Sequence, residues 1–488
     1  MLLGLDLGTT NVKAVAVEAD GRVLARGAAP VAVHHGADGQ LEQDICQVWS
    51  AMLSALSDAG KGADLAAVEA VGVSSQGGAL QLLDGDGQPA GPVISWLDGR
   101  GRSHDRRLTE ELGGDWFTSH TGHGAAGLAV GQLLRLREED PGALAPPNGI
   151  GFVGDVIVGR LCGRRAHDAT SLSIGMLFNP QLGRADSELL ERLGVAEGQL
   201  PDLAPAHLPA GSLLEAAAGQ TGLPAGIPVS PAMHDQYAAT LGCGAVRSGD
   251  VMFGAGTAWV LLALAEAGPG ALRPVVPRAF ACTHPVAGLA GQMLSMVNGG
   301  SSFQWAVELM GLGGRGGDAL DAMMESVPPG SDGLRFRPLL APGGGAGLDP
   351  GTRGRLDGLR LSHGPAHVLR AVVEGLVMEL VRHVRLLAQG GLPVERLIMC
   401  GGAAGSRVTP QVLADASGLP VACVTEGAVS ALGAAVLARA MAEGRDDLAR
   451  LAREMAPPVR EFRPGPDAEM YKGMLAECLA SLPARKSQ

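Results

Sequence analysis

The sequence predicts an α/β protein of two lobes facing a shared cleft, and three observations predict it. A strand, a Gly-Thr turn and a second strand open the chain at 1–17 and recur at 250–264, once in each half. Apolar strands alternate with amphipathic helices, and several strands end in glycines and polar residues, as ligand-binding α/β sheets do. The 488 residues exceed one typical core, so two domains or more are expected.

Composition narrows the class. Hydrophobic residues make up 46% and charged residues 18%, an ordinary soluble globular balance. The 74 glycines follow no Gly-X-Y period and read as loops that bring backbone close to ligands. A net charge of −12 argues against nucleic acid and anionic membrane as partners. Seven scattered cysteines without a C-x-x-C pair argue against structural zinc and a disulfide framework, and for the reducing cytoplasm. No apolar run approaches a membrane span.

The opening strand, Leu2 to Leu7, is apolar except for Asp6. The chain turns at Gly8-Thr9-Thr10-Asn11 and resumes with Val12, Val15 and Val17 around Lys13. Such a turn offers backbone N–H groups and hydroxyls to phosphate oxygens, and a strand-end carboxylate suits a hydrated Mg²⁺. An ordinary hairpin whose threonines serve the turn has the same pattern. A strand from Val23 to Val33 follows, then a helix capped by Asp44, with Val48, Met52 and Leu56 in its apolar stripe and Trp49 in the core.

A strand from Val68 to Val73 ends in Ser74-Ser75-Gln76-Gly77-Gly78, placed where α/β proteins bind ligands. Another, Val93 to Trp96, leads through Leu97 to Asp98, Gly99 and Arg100. A Trp face and a nearby carboxylate suit a sugar, although a half-buried Trp and a surface ion pair fit the spacing too. From about 118 to 228 the pattern is helical with many Pro and Gly breaks and reads as a cap, in which His120 and His123 are loop residues. A short strand from Pro228 to Ala232 then precedes Met233-His234-Asp235-Gln236 and a small-residue helix. Asp235 at that strand end can accept a hydroxyl proton as general base, or cap the helix.

The glycine-rich stretch 242–249 reads as the crossover between lobes. Beyond it, Asp250 to Phe253, the turn Gly254-Ala255-Gly256-Thr257-Ala258 and Trp259 to Leu264 repeat the opening pattern. Val297-Asn298-Gly299-Gly300 leads into a helix with Trp305, and a long helix spans about 367–387. A strand from Arg396 to Cys400 ends in Gly401-Gly402-Ala403-Ala404-Gly405-Ser406. Glycines there let backbone lie against a flat ligand such as an adenosine, and equally suit a plain strand-to-helix turn. A last strand at 420–424 and a helix from near 428 close the lobe, and the tail from Met455 reads as peripheral.

The stretches GLDLGTTNVKA (4–14), LEQD (41–44), ISWLDGR (94–100), HDQ (234–236), GAGTA (254–258), NGG (298–300), RAVVEG (370–375), GGAAGS (401–406), GLPV (418–421) and SALGAA (430–435) occur in this order. With them the chain resembles, nearly end to end, the FGGY carbohydrate kinases of the actin and hexokinase superfamily, most of all the xylulokinase branch. The resemblance implies two ribonuclease-H-like lobes, 1–244 and 245–488, with ATP and Mg²⁺ in the cleft. It implies transfer of the γ-phosphoryl to a hydroxyl of a small sugar, in the first place a ketopentose such as D-xylulose. Asp235 falls on the general base, which also touches the sugar, and Asp6 on the metal-organising aspartate. Gly8, Thr9, Thr10 and Lys13 fall on the first phosphate segment, Gly256 and Thr257 on the second, with Gly299 near it, and Gly401, Gly402 and Ser406 on the adenosine segment. Gln76, Gly77, Trp96 and Asp98 fall on the sugar side. Lobe closure about a hinge near 243–249 would expel water. A cytoplasmic enzyme is implied; relatives include homodimers, but no segment here forces one.

Two departures bear on the acceptor. Where xylulokinases carry Met-His-Gly this chain has Gly77-Gly78-Ala79, so a histidine donor to the sugar is missing, and where relatives show Gly-Glu-Arg it has Pro342-Gly343-Gly344-Gly345. Another ketose, a polyol or a sugar acid therefore stays open as acceptor. So does an actin-fold ATPase, or a sensor that binds sugar and ATP.

Overall fold

The structure is a computed structural model that describes residues 1–482 except 269, 277, 297–298, 341–347 and 349–350. Asn298 and the Pro342-Gly343-Gly344-Gly345 loop lie outside the described residues.

Strands β1 (Leu2–Leu7), β2 (Asn11–Val17) and β3 (Val23–Pro30) form an antiparallel meander. β4 (Ala70–Ser75) and β5 (Pro228–His234) join β1 in parallel, so the order is β3-β2-β1-β4-β5. Side chains alternate between faces. Leu3, Leu5 and Leu7 of β1 therefore face an outer core with α1 (Ile45–Ala59), which Asp44 caps by accepting from the Cys46 N–H. Trp49 is buried there.

The second lobe repeats this connectivity. β6 (Asp250–Ala255), β7 (Trp259–Glu266) and β8 (Leu289–Met296) are antiparallel neighbours, and β9 (Arg396–Cys400) and β10 (Val421–Val424) add in parallel. The order β8-β7-β6-β9-β10 is that of the first sheet. The duplicated hairpin is thus one piece of a duplicated sheet.

Two segments differ from expectation. The stretch read as a cap also extends the first sheet past β5, through Ala166–His167 and Asp202–Leu203. The tail is not peripheral: Val459–Phe462 pairs with β10, and Tyr471 is buried with its hydroxyl donating to Glu374 at 2.8 Å. Both surprises come from pairing across long sequence separation, which local patterning does not record.

The lobes meet through the helix that follows the fifth strand of each, α2 (Asp235–Gly242) and the later helix Val429–Glu443. Both sit in one continuous core shared by the inner faces of the two sheets. Glycines allow backbone to approach backbone: a Cβ on Gly4 or Gly72 would overlap the carbonyls of Ala431 and Ala434, and a Cβ on Gly433 or Gly242 those of Ala238 and Val429. Arg26 pairs with Glu426 across the same junction, and Lys13 Nζ donates to the Gly427 carbonyl at 2.9 Å.

Overpacking at such a contact is destabilising. Gly72→Ala and Gly433→Ala should each lower stability by about 1–3 kcal/mol in urea unfolding. Gly219→Ala, whose new Cβ meets open space within Glu215–Thr221, should leave it unchanged or raise it by about 0.5–1 kcal/mol. Unchanged midpoints for the first two would show that this helix junction does not carry stability.

Candidate active site

The first hairpin is held by side chains from three other segments. Thr9 Oγ1 donates to Gln76 Oε1 and accepts from Trp96 Nε1, each at 3.0 Å. Gln43 Nε2 donates to the Thr9 carbonyl at 2.8 Å, and Gln76 Nε2 donates to Gln43 Oε1 at 3.0 Å. Both ends of the Gln76 amide are therefore engaged within the protein. Trp96 keeps 40% of its surface exposed, so the indole is tethered through its N–H while its ring stays open. Gln43, which the motif reading had not assigned, is the strut that joins the turn to the β4 end.

Asp98 is placed differently from a sugar ligand. Its side chain is fully buried and accepts from the Leu41 N–H at 2.8 Å, from the backbone and guanidinium of Arg100 and from Gln132 Nε2 at 3.1 Å. Burial pulls its pKa upward, but the Arg100 hydrogen bonds and those backbone donors win and hold it below the usual value. Arg100 also reaches Glu42 at 2.6 Å. Asp98 is thereby a buried node that fixes the Trp96 loop.

Two carboxylates converge where the sheet strands end. Asp6, on β1, is buried and accepts from Ser74 Oγ at 3.1 Å. Asp235 opens α2 with its side chain about a quarter exposed, and the capping position itself belongs to His234. Burial and then the field of Asp235 push Asp6 up to about 6, against Lys13, which draws it down. Burial pushes Asp235 up to about 6 as well, with Gln236 opposing. Lys13 acts on Asp6 through its charge, while its ammonium hydrogen-bonds the opposite lobe rather than standing free at the hairpin.

The second hairpin borders a cavity of about 890 Å³ in the C-terminal half. Gly256 and Thr257 form one wall, and Gly402 and Ser406 another, with Phe303 and Trp305 between them. Gly300 and Ser301 donate their N–H groups to the carbonyls of Gly256 and Thr257 at 3.1 and 3.0 Å, which fixes this turn against the helix Gly300–Leu309. Gly299 packs on Trp259, where a Cβ would come within 2.6 Å of its backbone nitrogen. Gly401 has φ +86, and a Cβ there would crowd Ala255. Ser406 Oγ donates to buried Asp321 at 2.7 Å and accepts from the N–H groups of Val408 and Thr409, so its hydroxyl shapes the cavity wall. Trp305 and Asp321 were not predicted site residues; only the cavity shows them.

The cavity size suits a nucleotide, and the turns on its rim offer N–H groups to phosphates. Among the described residues no group of three His, Cys, Asp or Glu could hold a metal ion by itself. A hydrated Mg²⁺ needs only one or two carboxylates beside nucleotide phosphates, and the strand-end carboxylate of Asp6 fits that requirement.

Residues 1–242 match the N-terminal domain of the FGGY family of carbohydrate kinases, and residues 273–442 match its C-terminal domain. The chain belongs to that family. It is a carbohydrate kinase, and kinases of this family use ATP and typically a divalent metal. It is 28% identical over 481 residues to the apulose kinase of Pectobacterium atrosepticum, covering 93% of each chain. To the xylulose kinase of Streptomyces rubiginosus it is 30% identical over 473 residues, covering 94% of this chain and 92% of that one. The xylulose kinase structure from Rhodospirillum rubrum superposes with a TM-score of 0.86 at 28% identity, over 98% of this chain and 97% of the other. The fold is thus the two-lobed one of the actin and hexokinase superfamily. Among the described residues no helix is long and apolar enough to cross a membrane.

The raised Asp235 pKa has a stability consequence. The folded state binds this proton more tightly than the unfolded chain does, so the group's stabilisation is full below about pH 4 and lost as pH rises through about 6. Asp235→Asn, uncharged throughout, should stabilise the ligand-free kinase at pH 8 by up to about 3 kcal/mol, with the gain vanishing near pH 4. Urea unfolding at the two pH values measures it.

Proposed function

We propose that this kinase phosphorylates a small ketose, a ketopentose such as D-xylulose first, from Mg·ATP, with Asp235 as general base. The observation that carries this reading is the placement of Asp6 and Asp235 at the ends of β1 and β5, with Asp6 in the field of Asp235. A carboxylate with a pKa near 6 is ionised at neutral pH and basic enough to take a hydroxyl proton. The acceptor oxygen forms its bond to the γ-phosphorus, the bond to the β-phosphate bridging oxygen breaks, and the hydroxyl proton passes to Asp235. Mg²⁺, held on the phosphates with help from Asp6, would supply charge neutralisation.

The chain's own part is positioning. Gly8, Thr9 and Thr10 offer the first turn to phosphate, Gly256 and Thr257 the second, while Gly401 and Gly402 line the adenosine side with Ser406 shaping the wall. Lys13 would exchange its Gly427 carbonyl for phosphate as the lobes close about 243–249, with the lobes divided at 244/245. Trp96 would present its open ring to the sugar beside Gly77, with Gln76 and Asp98 holding that surface in place. The work is assigned to the cytoplasm. Gly77 and Gly78, in place of the side chains xylulokinases carry there, favour a second reading in which the acceptor is another ketose, a polyol or a sugar acid.

The test is ADP production with Mg·ATP across pentuloses, hexuloses, polyols and sugar acids, for the native chain and Asp235→Ala. One acceptor should raise turnover well above the sugar-free rate, and the variant should lose about 10²–10⁴ of it. A response that survives in the variant would remove Asp235 from the role of base; full-rate hydrolysis without any sugar would favour an ATPase.

A further inference from the structure

His234 ends β5, one residue before the base, and nothing in the phosphoryl-transfer scheme uses its ring. The ring is nonetheless firmly placed. It is buried, with Tyr237 edge-on at 6.0 Å. Its backbone N–H donates to Thr170 Oγ1 at 3.1 Å, and Thr170 Oγ1 donates in turn to Asp168 at 2.7 Å. On its other side lies Gly77: a Cβ there would overlap Cδ2, come within 2.8 Å of Nε2 and strike Ile174. Only a glycine at position 77 leaves room for this imidazole.

The two ring nitrogens differ. Nε2 lies 3.3 Å from Asp235 Oδ1, whereas Nδ1 is buried without a hydrogen-bond partner among the described residues. A neutral ring carries one N–H. On Nδ1 it would be an unpaired buried donor and would set the Nε2 lone pair against a carboxylate; on Nε2 it lies 3.3 Å from a carboxylate oxygen, and only a lone pair stays buried without a partner. Burial also holds the ring neutral, lowering its pKa to about 3.

Resting on Asp235 as base, we infer that His234 is a positioning residue: its Nε2, 3.3 Å from Asp235 Oδ1, donates to that oxygen once the acceptor is bound and so fixes the carboxylate, leaving Oδ2 for the acceptor hydroxyl, and Gly77 is the residue that admits the ring. The Gly77 departure from the xylulokinase pattern is then half of an exchange. A side chain is given up at 77 and an imidazole occupies its space against the base.

Two measurements test this. The first needs no acceptor: ¹⁵N-histidine NMR of the full chain, with the His234 signal assigned by its loss in His234→Gln. The expected result at pH 8 is a neutral ring protonated on Nε2, altered in Gly77→Ala. An Nδ1-protonated or doubly protonated ring, or a signal indifferent to Gly77→Ala, overturns the inference. The second is kinetic, with ATP and D-xylulose, or with whichever acceptor the panel identifies. His234→Ala and Gly77→Ala should each lower kcat about 10- to 100-fold with the KM for ATP unchanged. The double variant should be no worse than the poorer single one, and His234→Gln, which keeps an N–H near the Nε2 position, should recover about tenfold over His234→Ala. Additive losses, or a raised sugar KM at unchanged kcat, overturn it. ADP binding to each variant by calorimetry, equal to that of the native chain, shows that the fold is intact. Failure of the native chain to use D-xylulose counts against the proposed acceptor alone, since the NMR result does not depend on it.

Discussion

The contact on which the site depends is backbone packed on backbone between the helix Val429–Glu443 and the first sheet. Gly4 of β1 and Gly72 of β4 are register partners, and both meet that helix at carbonyl groups. Two residues further along the same face, Asp6 and Ser74 are partners too, joined by a hydrogen bond. Period-2 alternation therefore ties the depth at which Asp6 sits to the closeness of a helix from the other lobe. The helix α2, which begins with Asp235, meets the same helix through Gly242 and Gly433. Both carboxylates are set by one interface, and that interface has no side-chain cushion to absorb a shift.

Holding two carboxylates there has an electrostatic cost. Desolvation raises both pKa values to about 6, and the charge of Asp235 adds to the rise at Asp6. Lys13, whose charge acts on Asp6, is shared with a carbonyl of the opposite lobe. Bound phosphates would add negative charge, so a divalent cation becomes an electrostatic requirement of the filled site. The raised pKa that weakens the ligand-free fold is the property that the proposed role of Asp235 requires near neutral pH.

Much of this architecture was legible in the sequence because its signals are local. The hairpins at Asp6 and Gly256, the Asp44 cap, the strand Arg396–Cys400 and the glycines after it all declare themselves within a dozen residues. What stayed hidden depends on partners far along the chain. Asp98 takes donors from Leu41 and Gln132, Gln76 is tied to Thr9 and Gln43, and Tyr471 meets Glu374. A carboxylate bound for a buried node and one bound for a ligand have the same local pattern. Their difference is which donors the fold brings to them.

The same reasoning accounts for relatives of comparable similarity bearing the names apulose kinase and xylulose kinase. Asp6 and Asp235 sit at strand ends common to the fold, whereas the surroundings of Gly77 and Gly78 are built largely from the segment between β4 and β5. Gly77 faces Ile174, and Gly78, with φ +74, faces Leu128. Leu128 itself is held at φ 54 and ψ −114, a conformation that costs a non-glycine residue on the order of 1–3 kcal/mol. A strained leucine persists only where its surroundings over-determine it, and here those surroundings include the glycine that replaces a polar residue of the xylulokinases. Two glycines thus hand the wall beside Asp235 to apolar side chains and an imidazole from elsewhere in the lobe. On the proposed reading, changes in that inserted segment would alter the acceptor without disturbing Asp6, Asp235 or the two Gly-Thr turns.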